Sequence, residues 1–315
     1  MIKVTFKYVG QGDCIIIEWD GDGVGIIDSR KLDGNNPALN HLIEKETKKI
    51  KFLLVSHPHR DHYTGFKDIL EYCEKYNIEI ELFGYTANVD KHYLESVLMP
   101  TDDKNALANL FRKAANLHKK GLINKRGPIY DLCGNLKISE DIFIRFLAPS
   151  QKEKDEFYKT LFKGDLSFRE QPSPNLLSLV TSVESKNWQI LLTADAVKSC
   201  LKRIGIKKLK HFDKKLVLGQ VPHHGSKENH HYEEFWKKRN FESGTPLAIS
   251  VGPNQYDHPS ETVIEELSEL GYDINLTNRN MVTSTSEGSD LDLISTKTTN
   301  TDITPSDLEY EFRER

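Results

Sequence analysis

"VSHPHRDHYTGF", residues 55–66, decides how the rest of the chain is read. It completes the apolar run "IKFLLV", which has the length and β-branched and aromatic content of a buried strand. Three histidines and an aspartate, His57, His59, Asp61 and His62, stand within six positions just past that strand. On an extended or tightly turned segment His57 and His59 project to the same side. Asp61 and His62 lie one turn further and face a second point nearby. Imidazole and carboxylate are the donors that Zn²⁺ prefers, and Mn²⁺ or Fe also accepts them. A lone histidine here reads as a polar loop residue, whereas four such groups read as half of a metal site.

The other half must come from elsewhere, and the same arrangement recurs. "QILLTADA" places Asp195 past an apolar strand, "LVLGQVPHHGS" places His223, His224 and Ser226 past another, and "AISVGPNQYDHPS" places His258 past a third. "VGIIDS" does the same for Asp28. Taken singly, Asp195 is a helix N-cap and His258 a turn residue. Taken together, five strands each followed by His or Asp predict one sheet rim carrying a shared site, where α/β proteins bind ligands.

The chain has 315 residues and a net charge of −4, so no global basic surface advertises nucleic acid. Strands and helices alternate in two successive halves, which predicts a layered α/β body. We expect one domain over residues 1–283, with a helical insertion at about 88–125, and a polar tail at 284–315 rich in Ser, Thr, Asp and Glu. "AVKSCLKRIG" reads as a helix ended by its glycine and "YEEFWKKR" as another. The apolar runs are too short to span a bilayer, no signal-peptide core is present, and four scattered cysteines form no framework. The expected setting is cytoplasmic, with no membrane partner.

"HPHRDH" with "LLTADA" resembles the HxHxDH and bridging-aspartate motifs of the metallo-β-lactamase fold. More narrowly, "VGQGDCIII", "PNLLSLV", "VPHHGSKEN" and "SVGPNQYDHPSETVIEEL" look like the soluble hydrolase domain of ComEC-type competence proteins, in family order over residues 4 to 280. The resemblance implies an αββα sandwich of two mixed β-sheets flanked by helices. It implies two divalent metal ions, Zn or Mn: His57 and His59 on the first, Asp61, His62 and His223 on the second, and Asp195 bridging. It gives Asp28 an orienting role and makes Asp61, Asp195, His224 and His258 the catalytic groups. Asn175, Ser178 and Ser226 become substrate contacts. Two departures stand out. The histidine that the wider family carries between HxHxDH and the bridging aspartate is missing, its stretch offering only Asn175 and Ser178. Arg30 occupies a place where glycine is common, either as an anion contact or as a surface arginine.

Paired metals about 3.5–4 Å apart suit phosphodiester hydrolysis, with the hydroxide they generate attacking phosphorus. The expected activity is therefore that of a phosphodiesterase or nuclease acting on nucleic acid or a nucleotide. Hydrolysis of a lactam, lactone or thioester, or metal binding without turnover, are the alternatives. The basic stretch 198–215, with Lys198, Lys202, Arg203, Lys207, Lys208 and Lys210, either tracks a phosphate backbone or is a solvated face.

Overall fold

The run Ile15–Ile16–Ile17 has no polar face, so a strand made of it must be covered on both sides. In the computed structural model it is. The structure describes residues 1–164, 166–167, 169–207, 213–230, 235–278, 291–294 and 305–314. The first half runs β1 (Ile2–Phe6), β2 (Cys14–Trp19), β3 (Gly23–Ser29), α1 (Pro37–Glu44), β4 (Lys49–Val55), α2 (Arg60–Tyr63), α3 (Phe66–Tyr76), β5 (Glu79–Tyr85), α4 (Lys91–Ser96), α5 (Thr101–Lys119) and β6 (Ile123–Pro128). The second runs β7 (Asn135–Lys137), β8 (Phe143–Ala148), α6 (Gln151–Leu161), β9 (Val180–Glu184), β10 (Trp188–Leu192), α7 (Lys198–Lys207), β11 (Lys215–Gln220), β12 (Pro246–Ile249), α8 (Glu261–Glu269) and β13 (Asp273–Leu276). Strands β14 (Leu291–Ile294) and β15 (Leu308–Glu314) then return to the first half.

Two mixed sheets result, ordered β14-β15-β1-β2-β3-β4-β5-β6 and β13-β12-β11-β10-β9-β8-β7. Ile15 and Ile17 lie between them in one apolar cluster with Phe52, Leu54, Val183, Ile190 and Leu192. Ile16 points the other way and packs with Leu42, Leu53, Phe66, Leu70 and Leu110 under α1, α3 and α5. On the far side Leu191, Leu216 and Leu247 meet Leu201 and Ile204 of α7 and Val263 and Leu267 of α8. This is the expected αββα sandwich. Each fully buried aliphatic side chain contributes roughly 1.5–3 kcal/mol.

Local chemistry sets the element ends. The Asn36 side chain accepts from the Leu39 N–H at 3.1 Å and Pro37 opens α1. Asn77, in the left-handed region, closes α3. Strands β3, β4, β5 and β6 are parallel, as are β10, β11, β12 and β13. A parallel run brings all its C-terminal ends to one edge, which is where the donors stand.

Three features differ from expectation, and a fourth expectation falls partly outside the described residues. The insertion at 88–125 is helical in α4 and α5 but ends in strand β6, whose charged sequence hides its extended form at a sheet edge. Helix α7 continues through Gly205 to Lys207. The segment "YEEFWKKR" lies partly outside the described residues. Finally, the stretch expected as a polar tail ends in β15, which pairs antiparallel along the whole of β1, from Ile2↔Phe312 to Phe6↔Leu308. Leu308, Tyr310 and Phe312 alternate into the core.

Candidate metal centre

Strand β4 delivers Ser56 and the fully buried His57 to the rim, and the single turn α2 then presents Asp61 and His62. Asp28, at the end of β3, holds this segment in place. Its carboxylate accepts the Ser56 N–H at 2.7 Å, the Ser56 hydroxyl at 2.5 Å and the His62 Nδ1–H at 2.7 Å. With the Nδ1–H of His62 held by Asp28, its Nε2 faces inward, the arrangement that metal-ligating histidines use. That Nε2 lies 3.6 Å from Asp61 Oδ2 and 3.5 Å from Asp195 Oδ1.

Asp195 reaches the rim on the turn after β10, where Ala194 is left-handed. Gln220 shapes that turn: its Oε1 accepts the N–H groups of Thr193 and Ala194, each at 3.0 Å. After β11, His223 and His224 are both left-handed, with φ of 47° and 54°. Two successive residues in that region fan neighbouring side chains apart. His224 donates Nδ1–H to the Ser250 carbonyl at 2.7 Å and points Nε2 at Asp195 Oδ1, 3.5 Å away, and Asp61 Oδ2, 3.6 Å away. His223 Nε2 instead faces the other carboxylate oxygen, Asp195 Oδ2, at 3.4 Å. That oxygen is also 3.7 Å from His57 Nε2, whose neighbour His59 Nδ1 is 3.0 Å away.

Two donor sets therefore share one carboxylate, oxygen by oxygen. His57, His59 and Asp195 form one, and Asp61, His62 and His224 form the other. The resemblance put His223 with Asp61 and His62; the geometry puts His224 there and His223 on the side of His57. The donors fit a divalent ion. Ligand bonds of 2.0–2.2 Å in a tetrahedron place neighbouring donor atoms about 3.4 Å apart. The four imidazole-to-carboxylate separations of His62 and His224 from Asp61 and Asp195 are 3.5–3.6 Å. His62 Nε2, His224 Nε2 and Asp195 Oδ1 are buried and, among the described residues, lack hydrogen-bond partners, as atoms that face a cation would.

The electrostatics agree. Burial, with His62 and His59 alongside, pushes His57 well below its ordinary value and keeps it neutral. Burial opposes charge on His62 as well, but Asp195, Asp61 and Asp28 outweigh it and raise that pKa. For His224, Asp195 and Asp61 likewise overcome burial and push the value up to about 9. Burial would raise Asp195, yet His224 and His62 hold it well below the carboxylate range. Protons on His62 and His224 thus supply the positive charge that the carboxylates demand.

Asp13 and Gln220 escaped the sequence reading. Asp13 is fully buried, 3.7 Å from His62 Nδ1, and accepts Gln220 Nε2–H at 2.9 Å. The one signal is an acid in "GQGD" directly before the apolar run Cys14–Ile17. Asn175 is at the centre, its Nδ2 at 3.4 Å from His223 Nδ1. His258 meets the ring of His223 edge to face, centroids 5.4 Å apart, and burial together with His223 and His224 lowers its pKa. Ser226 closes the histidine turn through its N–H to the His223 carbonyl. Ser178 is buried, and among the described residues its hydroxyl has no partner. Lys202 is exposed on α7, and the side chain of Lys207, with Lys208 and Lys210, lies outside the described residues. Arg203 does not face a ligand: it pairs with Glu153 at 2.7 Å and binds the Leu147 carbonyl.

No protein-family model matches the chain, and no curated protein matches it in sequence. Solved structures do resemble it. The metallo-β-lactamase fold protein YhfI from Bacillus subtilis aligns over 88% of this chain and 96% of its own, with TM-score 0.49 and 10% identity. Zn²⁺-bound PqqB from Methylobacterium extorquens aligns over 88% and 98%, also at TM-score 0.49 and 10% identity. A long-form RNase Z from yeast aligns over 80% of this chain and 36% of its own, at TM-score 0.42 and 10% identity. The two-sheet order and the flanking helix layers make this chain an αββα sandwich with its His and Asp donors gathered on one rim.

Proposed function

We propose that the protein is a metal-dependent phosphodiesterase acting on nucleic acid or a nucleotide. The observation that carries the reading is the Asp195 carboxylate, which offers one oxygen to His57 and His223 and the other to His62 and His224. Two divalent ions, zinc or manganese, would polarise a phosphoryl oxygen and make water a nucleophile at neutral pH. On this reading His57, His59 and His223 hold the first ion, Asp61, His62 and His224 the second, and Asp195 bridges. His223 thereby takes the place of the mid-chain histidine that the wider family carries.

The remaining groups position and donate. Asp28 keeps the His62 proton on Nδ1 and so aims Nε2. Asn175, whose Nδ2 lies 3.4 Å from His223 Nδ1, steadies the ring on the other side. His258 is neutral near pH 7 and, among the described residues, has no partner at Nδ1, so it is suited to hydrogen-bond a phosphate oxygen or the leaving group. His224 has its Nδ1–H committed to Ser250, which leaves it a ligand and not a proton donor to substrate.

Metal-stripped protein incubated with labelled single- and double-stranded DNA and RNA, with Mn²⁺ or Zn²⁺ added back, tests this. Cleavage should require metal and vanish in His59→Ala and Asp195→Ala. Cleavage that persists in both variants, or hydrolysis of ester and lactone reporters in place of phosphodiesters, would sink it.

A further inference from the structure

A cavity of 830 Å³ opens beside Asp61, lined among others by Arg30, Lys67, Asn105, Asn109 and Tyr256. Most of its cations are neutralised locally. Lys31 pairs with Asp68 at 3.1 Å and Arg60 with Asp103 at 2.8 Å. Arg30 differs: among the described residues no carboxylate lies within ion-pair distance of it, and its Nη1 is shielded from solvent with no hydrogen-bond partner. A guanidinium on the cavity wall with no carboxylate beside it leaves a positive charge that a bound anion can neutralise.

The position of Arg30 is built. Its stem crosses Gly12, where a Cβ would come within 2.5 Å of Arg30 Cδ and 2.6 Å of the Asp61 carbonyl oxygen. The glycine therefore lets the arginine lie directly against the segment that carries Asp61.

We propose that Arg30 binds a second phosphate of the substrate, the one next to the phosphodiester being cleaved. The ligand class is a nucleic-acid strand, whose chain of phosphates presents another beside the scissile one. Guanidinium donors match phosphate oxygens in pairs. The inference rests on the phosphodiesterase reading and narrows it from any phosphodiester to one with neighbouring phosphates.

The test is fluorescence anisotropy with a cleavage-resistant phosphorothioate trinucleotide, titrated with the purified protein and with Arg30→Gln. The variant should bind about tenfold more weakly, the loss expected of one charge-assisted contact, with an unchanged melting temperature. Arg30→Gln should also raise KM for a trinucleotide while leaving kcat/KM for bis(4-nitrophenyl) phosphate, which has a single phosphate, at the wild-type value. Equal trinucleotide affinity in the two proteins, or an equal loss on both substrates, overturns the role of Arg30. Absence of any hydrolysis by the wild type overturns the phosphodiesterase reading instead, and the anisotropy titration still decides for or against Arg30.

Discussion

Adjacent histidines at 223 and 224 face different oxygens of one carboxylate because both adopt left-handed backbone, which neighbouring non-glycine residues rarely do together. The division of labour has a direct consequence. His223→Ala should lose the first ion and His224→Ala the second, so each variant should titrate with one equivalent of Zn²⁺ where the wild type takes two, as read by calorimetry and metal content. A His223→Ala protein that still binds both ions with wild-type affinity would return His223 to a loop role. Asp28→Ala removes the acceptor for His62 Nδ1–H, and affinity at the second ion should fall about 10–100-fold in the same titration. The cluster His57, His59, Asp61 and His62 was legible in the sequence because its spacing is local. The assignment of His223 was not, since it depends on two backbone torsions that no residue preference announces.

Strand β15 closes the first sheet next to β1, although the polar stretch before it reads as tail. Its alternation of Leu308, Tyr310 and Phe312 is a strand signal short enough to be drowned by the surrounding Ser, Thr and Asp. Phe312 is fully buried in the layer between the sheets. Phe312→Ala should lower unfolding stability by about 3–5 kcal/mol, measured by urea denaturation, while metal stoichiometry stays unchanged. A change below about 1 kcal/mol would mean that β15 does not hold the sheet. The exposed Lys202 on α7 makes a fitting control, expected to shift stability by less than about 0.5 kcal/mol on truncation.

Protonation couples the whole fold to the centre. With their pKa values raised above the unfolded reference of about 6.5, His62 and His224 bind protons more tightly in the fold than out of it. Their stabilisation of metal-free protein is complete below about 6.5; the share of His224 is lost as pH rises through about 9, and that of His62 as pH rises through its own raised value. His57, His59 and His258 have lowered values, so they are neutral in both states above that reference and add no slope there. Metal binding must expel the two protons, so affinity should climb over the same interval. Melting temperatures recorded from about pH 7 to 9, with and without Zn²⁺, should diverge as pH rises, the metal-free curve falling. Parallel curves would contradict the assignment of those protons. The apolar runs, their order and the local HxHxDH cluster were enough to establish a layered α/β body with donors at strand ends, because strand patterning and i, i+2 spacing are properties of the chain itself. Which oxygen of Asp195 meets which histidine, that buried Asp13 and Gln220 stand behind the centre, and that Arg30 lies unpaired beside Asp61 were settled in space. Those relations join residues as far apart as Asp13 and Gln220, and they depend on how two sheets pack and on turns whose torsions packing enforces.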